Sequence, residues 1–166
     1  ASLAFSLKKR NIECFIVEKG HELGNGASGN LVAFQMPKLT LDDSIYGIFS
    51  LRSYLYSRNL AINLDSAPIS NGVIIFPNRD RENKKFEELL NFKWPYELFH
   101  NYKSVEFQNF KNLHLFPNSG IVETKNFLKN LSKSVKFISN FEVKKIDHFK
   151  NKKILYNTAE DSISAK

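Results

Sequence analysis

Several residue types that build specialised sites are scarce in this chain. Its 166 residues include one cysteine, Cys14, so an internal disulfide is excluded, and we expect a buried structural thiol within the apolar run at 12–17. The four histidines are dispersed without metal-ligand spacing. No serine lies in a nucleophile-elbow motif. The sequence therefore predicts no metal site and identifies no catalytic side chain.

Long hydrophobic runs are also absent. No apolar stretch approaches the roughly 18 residues of a membrane-spanning helix, and the first residues lack the pattern of a signal peptide. Hydrophobic residues nevertheless make up 42% of the chain and aromatic residues 13%, which argues against disorder. We expect a folded protein of the reducing cytoplasm, with no membrane partner.

Positive charge is in excess, with 24 Lys and Arg against 17 Asp and Glu and a net charge of +7. Such an excess favours a polyanionic partner such as RNA. Most of the lysines are scattered among Asn, Phe and Ile, however, which is equally typical of a solvated surface. The densest basic stretch, at 144–153, flanks a predicted strand and turn and can also be explained as a sheet edge that charge protects.

The beginning of the chain has a helix-then-strand pattern. Apolar spacing at 3–7 followed by Lys8, Lys9 and Arg10 predicts the last turns of a helix, which Asn11 ends. The β-branched and aromatic run at 12–17 predicts a buried parallel strand. Together they indicate a parallel crossover unit.

Local patterns predict the remaining elements. After a loop at 21–30, helices are predicted at 43–60, 80–91 and 123–133, and extended segments at 73–77, 135–138, 142–146 and 153–156. Residues 117–120, Pro-Asn-Ser-Gly, predict a turn. Residues 161–166 are expected to lead towards a further strand.

Glu18 ends the first predicted strand. An acidic residue at the carboxyl end of the second strand of a dinucleotide-binding unit accepts hydrogen bonds from ribose hydroxyls, although many strands end in Glu for solvation alone. The glycine fingerprint of such a unit begins about 20 residues before the acid. That position lies at or before Ala1, so we expect the chain to be a piece of a longer protein.

The small-residue loop, residues 26–30, follows closely with Gly26, Ala27, Ser28, Gly29 and Asn30. Small side chains let backbone amides approach a phosphate or a flavin ring, although an ordinary flexible loop has the same composition. A strand-terminal acid followed at short distance by such a loop favours a dinucleotide site over either feature taken alone.

These motifs resemble the FAD-dependent amine oxidoreductases of the D-amino acid oxidase and glycine oxidase type. The likeness is greatest to the oxidoreductase domain of the bifunctional enzymes of tRNA 5-methylaminomethyl-2-thiouridine biosynthesis. It is carried by Phe-Ile-Val-Glu-Lys at 15–19, Gly-Ala-Ser-Gly-Asn at 26–30, Pro-Lys-Leu at 37–39, Gly-Val at 72–73 and Phe-Pro-Asn-Ser-Gly at 116–120. Phe-Gln-Met at 34–36 departs from the family's usual pattern.

The resemblance implies FAD as cofactor. Glu18, with Lys19 beside it, would hold the adenosine ribose, and Val143 would present its main chain to the adenine. The backbone and small side chains of Ala27, Ser28, Gly29 and Asn30 would contact the flavin and the pyrophosphate.

The implied fold is α/β, and α+β overall. An incomplete Rossmann-like FAD-binding domain would be interleaved with part of a β-rich substrate domain. In this division residues 1–40 belong to the FAD-binding domain, residues 41–116 to a helical segment and the substrate domain, and residues 117–166 return to the FAD-binding domain.

The implied activity is oxidative removal of the carboxymethyl group from 5-carboxymethylaminomethyl-2-thiouridine at the tRNA wobble position. The partners would be tRNA and a fused or separate methyltransferase domain. Tyrosines and a tryptophan could line the substrate cavity, although packing explains them equally well: Tyr46, Tyr54, Tyr56 and Trp94.

Other functions remain open. The first is an oxidase of glycine, sarcosine or a D-amino acid, in which an arginine would clamp the substrate carboxylate; the candidates are Arg52, Arg58, Arg79 and Arg81. The second is a non-enzymatic RNA-binding module, against which the dispersed lysines speak. A methyltransferase also ends its second strand in an acid, but its other motifs are absent from this sequence.

Overall fold

A computed structural model describes residues 1–108, 112–159 and 161–165. The helices are α1 (Ser2–Lys9), α2 (Ile45–Asn63), α3 (Asp80–Asn91) and α4 (Thr124–Ser132), with 3₁₀ turns at Ala27–Gly29 and Val105–Phe107. The strands are β1 (Phe15–Val17), β2 (Val32–Gln35), β3 (Ser70–Ile75), β4 (His100–Tyr102), β5 (Leu113–Glu123), β6 (Lys136–Ile138), β7 (Lys145–Phe149), β8 (Lys152–Tyr156) and β9 (Ser162–Ala165). The mixture of helices and sheets confirms the predicted α/β class.

The chain folds into two compact units. Unit 1 consists of residues 1–31 and 124–166, and unit 2 consists of residues 32–123. Val32 pairs with Glu123 in the antiparallel β2–β5 ladder, so the two ends of unit 2 lie side by side. The resemblance implied domain boundaries at residues 40 and 116. Those boundaries separate domains by their expected function, not by compactness, and they stay a prediction.

Unit 1 contains the predicted crossover pattern. The backbone N–H groups of Asn11 and Ile12 donate to the carbonyls of Lys8 and Leu7, and Asn11 adopts a left-handed φ of 57°. This arrangement is a Schellman motif, which ends α1 where the sequence predicted. The chain then enters β1, which pairs in parallel with β6.

An antiparallel meander completes unit 1. β7 pairs with β8, and β8 pairs with β9. Residues 161–166 were expected only to lead towards a strand. Ser162–Ala165 themselves form β9, because their backbone pairs with the edge of β8 that β7 leaves open. Lys166 lies outside the described residues.

Unit 2 is a mixed unit built around the long strand β5. β3 pairs with one edge of β5, and β2 and β4 pair with it as well, all antiparallel. Its core is a buried cluster of Leu39, Leu89, Phe99 and Phe116. Full burial of such a side chain stabilises the fold by about 1.5–3 kcal/mol, so these four residues fix the packing of α3 and the segment at 94–99 on the sheet.

The predicted turn at 117–120 is wrong. These residues lie within β5, which continues from Leu113 to Glu123. Pro117 cannot donate a ladder hydrogen bond, but the register between β3 and β5 shifts between Asn71 and Val73, opposite this segment. The proline therefore lies at a bulge, where a strand tolerates a missing donor.

A buried histidine in β5 makes the stability of unit 2 depend on pH. His114 is 1% exposed and stacks on Phe86 with ring centroids 4.7 Å apart, and neither ring nitrogen has a hydrogen-bond partner within the described residues. Burial lowers the pKa of the His114 imidazole from its ordinary value of 6.5. As pH falls below that value, the unfolded chain takes up a proton before the folded chain does, so folding stability is lost.

We expect His114→Phe to flatten this pH dependence. Phe keeps the stacked ring in the core and removes the group that titrates differently in the two states. Urea unfolding midpoints measured from about pH 7.5 down to about pH 5.5 should fall less in the variant than in the wild type. The same loss in both proteins would show that other groups set the pH dependence.

Candidate functional site

Glu18 lies at the carboxyl end of β1, as the sequence predicted. Its N–H donates to the carbonyl of Ile138 at 3.0 Å, and its carbonyl accepts from the N–H of Phe141 at 3.0 Å. The side chain is half-buried, and Oε1 accepts from the N–H of Gly20 at 3.3 Å. A carboxylate has about four lone-pair sites, so this single contact leaves room for further hydroxyl donors.

The turn after Glu18 is in contact with the chain that leads into the small-residue loop. The carbonyl of Gly20 accepts from the N–H of Asn140 at 2.9 Å. A Cβ built on Gly20 would coincide with the side-chain amide of Asn25. The absence of a side chain at Gly20 thus lets residue 25 fold back onto the turn and brings the strand end and the loop together.

The shape of the small-residue loop depends on one of its own glycines, Gly29, and on Gly24, which precedes the loop. Gly24 adopts a left-handed φ of +88°, and a Cβ on Gly29 would lie 2.5 Å from the carbonyl oxygen of Gly24. The N–H of Gly29 donates to the carbonyl of Gly26 at 2.8 Å, which closes the 3₁₀ turn at Ala27–Gly29. A Cβ on Gly26, by contrast, would meet nothing within 4 Å. Gly29 is required by close packing, whereas Gly26 leaves open space.

The start of α4 anchors the loop. The N–H of Thr124 donates to the carbonyl of Leu31 at 3.3 Å, and its hydroxyl donates to the carbonyl of Asn30. Lys125 forms an ion pair with Glu22 at 3.1 Å. The hydrogen bond and charge of Lys125 lower the pKa of the Glu22 carboxyl. Both ends of the segment at 22–31 are therefore held by the first turn of α4.

The other predicted cofactor residues lie on the same unit. Val143, which is 37% exposed, follows Phe141 by two residues and precedes β7. Lys19 and Asn30 are exposed. The hydrogen bond between Phe141 and Glu18 places the segment that carries Val143 beside the end of β1.

Sequence reasoning missed the residues that hold this site in shape. Thr124, Lys125 and Leu128 belong to a helix that the sequence did predict, but their partners at 22–31 are about a hundred positions away. No local pattern reports such contacts. An ion pair between Glu22 and Lys125 could have been found only from paired changes among relatives.

The aromatic and arginine candidates lie in unit 2 and do not form one cluster. Tyr54, Arg58 and Trp94 line a cavity of about 300 Å³. The Arg58 guanidinium donates to the carbonyl of Asn118 at 2.8 Å and to its Oδ1 at 3.1 Å, which makes Arg58 a structural residue. The remaining candidates are exposed: Tyr46, Tyr56, Arg52, Arg79 and Arg81.

Neither a metal site nor a membrane-spanning helix is present in the part of the chain that the structure describes. No group of three or more His, Cys, Asp or Glu side chains is arranged to hold a metal ion there. Among the same residues, no helix has the length and apolar character needed to span a membrane. Cys14 is half-buried, and its Sγ lies 3.6 Å from the carbonyl oxygen of Ala4.

Comparison with known sequences relates the chain to one kind of protein. It is 33% identical over 96 residues to the tRNA 5-methylaminomethyl-2-thiouridine biosynthesis bifunctional protein MnmC of Marinomonas sp. (strain MWYL1), a match that includes 56% of this chain and 14% of the relative. MnmC of Shewanella baltica (strain OS185) is 31% identical over 108 residues, which are 59% of this chain and 16% of that protein. The matches thus span less than a fifth of these relatives. No family model matches the chain.

Comparison with solved structures concerns the fold. Glycine oxidase from Geobacillus kaustophilus superimposes with a TM-score of 0.75 at 19% identity, over 99% of this chain and 50% of that one. L-Amino acid deaminase from Proteus myxofaciens gives a TM-score of 0.70 at 17% identity, over 96% of this chain and 40% of that one. The chain is therefore related in sequence to part of MnmC, and its fold is similar to that of part of glycine oxidase and part of L-amino acid deaminase.

Proposed function

We propose that the complete protein is an FAD-dependent amine oxidoreductase that modifies tRNA. The observation that carries the proposal is the small-residue loop, which Gly29 closes against Gly24 beside the strand end at Glu18, in a chain related to MnmC. The finer proposal is that it removes the carboxymethyl group of 5-carboxymethylaminomethyl-2-thiouridine and leaves the aminomethyl form.

The residues of unit 1 fit the cofactor. The half-buried Glu18 carboxylate has acceptor capacity left for the two hydroxyls of the adenosine ribose, with Lys19 beside it. The small side chains of Ala27 and Ser28, both exposed, allow close approach of a pyrophosphate or a flavin ring to the backbone. In this proposal Gly29 and Asn30 complete that surface, and the main chain of Val143 contacts the adenine.

The proposed reaction needs orientation more than side-chain chemistry. FAD, when bound, supplies an acceptor for the hydride that leaves the carbon next to the amine nitrogen, and oxygen takes up the two electrons afterwards. Water hydrolyses the imine left on the substrate to the aminomethyl nucleoside and glyoxylate. A neutral amine needs no side-chain base, and the role of this chain is to hold the reacting parts in position.

An oxidase of a free amino acid is the second candidate, because the fold is shared with glycine oxidase. Such an enzyme needs a cation for the substrate carboxylate. Arg58 is already bonded to Asn118, so it is a poor candidate for that role.

Anaerobic flavin reduction distinguishes the two candidates. The complete protein is expected to purify with oxidised flavin, and undermodified tRNA is expected to bleach it in the absence of oxygen, whereas glycine and sarcosine are not. Absorption spectra before and after addition of each compound provide the measurement. Bleaching by glycine alone would replace the tRNA assignment by the second candidate, and a protein that cannot be reconstituted with FAD would contradict both.

A further inference from the structure

The net positive charge of the chain comes from one of its two units. Unit 1 contains fourteen Lys and Arg against seven Asp and Glu, whereas unit 2 contains ten of each. The whole net charge of +7 therefore belongs to unit 1, a distribution that the sequence order obscures because unit 1 is made of both ends of the chain. Within unit 1 the densest group of lysines lies on the hairpin formed by β7 and β8.

The register of this hairpin places aromatic and basic side chains on one face. Phe149 pairs with Lys152, and Lys145 pairs with Tyr156. Because side chains alternate along a strand, these four residues point to the same side of the hairpin. Leu155 and Lys153 point to the other side, where they line a cavity with residues of β1 and β6. We call the first side the hairpin face: Lys145, Phe149, Lys150, Lys152 and Tyr156.

Phe149 is the central feature of the hairpin face. Its side chain is 60% exposed, and the Nζ of Lys150 lies 5.6 Å from the centroid of its ring. Lys145 forms an ion pair with Asp147, with Nζ and Oδ2 2.8 Å apart. Within the described residues no ion pair involves Lys150 or Lys152, so their charges are free to meet an external anion.

Protection of a sheet edge explains lysines but not an exposed phenylalanine among them. A large apolar ring on a solvated strand increases the tendency to associate, which is the reverse of what edge protection achieves. Lysines around an exposed ring form instead the combination by which proteins bind unpaired nucleotides: cations contact the phosphates and a base stacks on the ring.

We propose that the hairpin face is a docking surface for unpaired nucleotides of the tRNA substrate. Lys150 and Lys152 contact backbone phosphates, and Phe149 stacks on a base. The proposal rests on the proposed function, since it concerns how the same substrate is held. It adds a role for a surface that the cofactor site does not use.

The phosphate contacts are tested by the salt dependence of binding. In the complete protein, Lys150→Asn with Lys152→Gln removes two charges, and Asn suits the left-handed φ of 53° at position 150. Each lysine that contacts a phosphate contributes about one unit to the slope of log affinity against log salt, so we expect the slope to fall by about two and tRNA binding to weaken about tenfold or more. Fluorescence anisotropy with labelled tRNA at several salt concentrations measures both.

A matched control removes two exposed charges from the neutral unit. Lys84→Gln with Lys93→Gln in unit 2 should leave slope and affinity unchanged. Phe149→Leu should weaken binding about fivefold or more at an unchanged slope, because stacking does not release counterions. Equal slopes and affinities in wild type, hairpin variants and control would overturn the proposal.

The outcome is separable from that of the proposed function. If undermodified tRNA bleaches the flavin of the wild type and the hairpin variants bind tRNA normally, the hairpin face is wrong and the function stands. If tRNA neither binds nor bleaches the flavin, both are wrong. Retained flavin and an unchanged thermal melt in each variant show that the substitutions have not unfolded the protein.

Discussion

Replacement of Glu18 by Gln in the complete protein is expected to weaken FAD binding about 10- to 100-fold, the effect of losing hydrogen bonds to a charged acceptor. The amide keeps the shape of the side chain and its Oε1 contact with Gly20, so β1 and its turn should stay folded. What is lost is the charged acceptor that we propose for the two ribose hydroxyls. Titration of the flavin-free protein with FAD, followed by flavin fluorescence, gives the affinity.

Glu13 provides the control for charge alone. It is exposed and precedes β1 by two residues, so Glu13→Gln removes one carboxylate from the same region without touching the strand end. Its FAD affinity should equal that of the wild type. If both variants bind FAD as tightly as the wild type, Glu18 does not contact the ribose.

Gly29→Ala is expected to give a protein that purifies without flavin, while Gly26→Ala retains it. A Cβ at position 29 would lie 2.5 Å from the carbonyl oxygen of Gly24, so the backbone has to move and the loop cannot keep its closed form. The same methyl group at position 26 meets no atom within 4 Å in the protein. The two substitutions therefore separate the shape of the loop from its amino-acid composition.

The flavin-to-protein ratio of the purified variants provides the measurement. For Gly29→Ala we expect FAD affinity to fall about 100-fold or more, the effect of displacing several backbone contacts together. An unchanged melting temperature, compared between the flavin-free forms of variant and wild type, would show that the loss is local. Equal flavin content in the two variants would mean that the closed form of the loop is not needed for binding.

Residues whose role depends on their neighbours in sequence were predictable. The end of α1 follows from Lys8, Lys9, Arg10 and Asn11, and the position of Glu18 follows from the apolar run before it. Both signals are local, because a helix end and a strand end are decided within a few residues. The composition of the small-residue loop likewise predicted where the loop lies in the chain. It did not predict the contact of Gly29 with Gly24 that closes the loop.

What the sequence could not predict depends on distant partners. Proline next to Asn, Ser and Gly is typical of a turn, so the sequence around Pro117 indicated one. A strand can accommodate Pro117 only because of its irregular pairing with β3, which lies almost fifty residues earlier in the chain. The contacts of Thr124 and Lys125 with the loop region join segments from the two ends of the chain. The location of the net positive charge in unit 1 was hidden for the same reason.

The pairing of Val32 with Glu123 makes unit 2 an insert with adjoining ends. A segment whose entry and exit are neighbours can be lengthened, shortened or exchanged without changing the distance that the surrounding chain has to bridge. The hydrogen bond from Thr124 to Leu31 provides that bridge within unit 1 itself. Unit 2 can therefore change in length or sequence while the part proposed to hold the cofactor keeps its form.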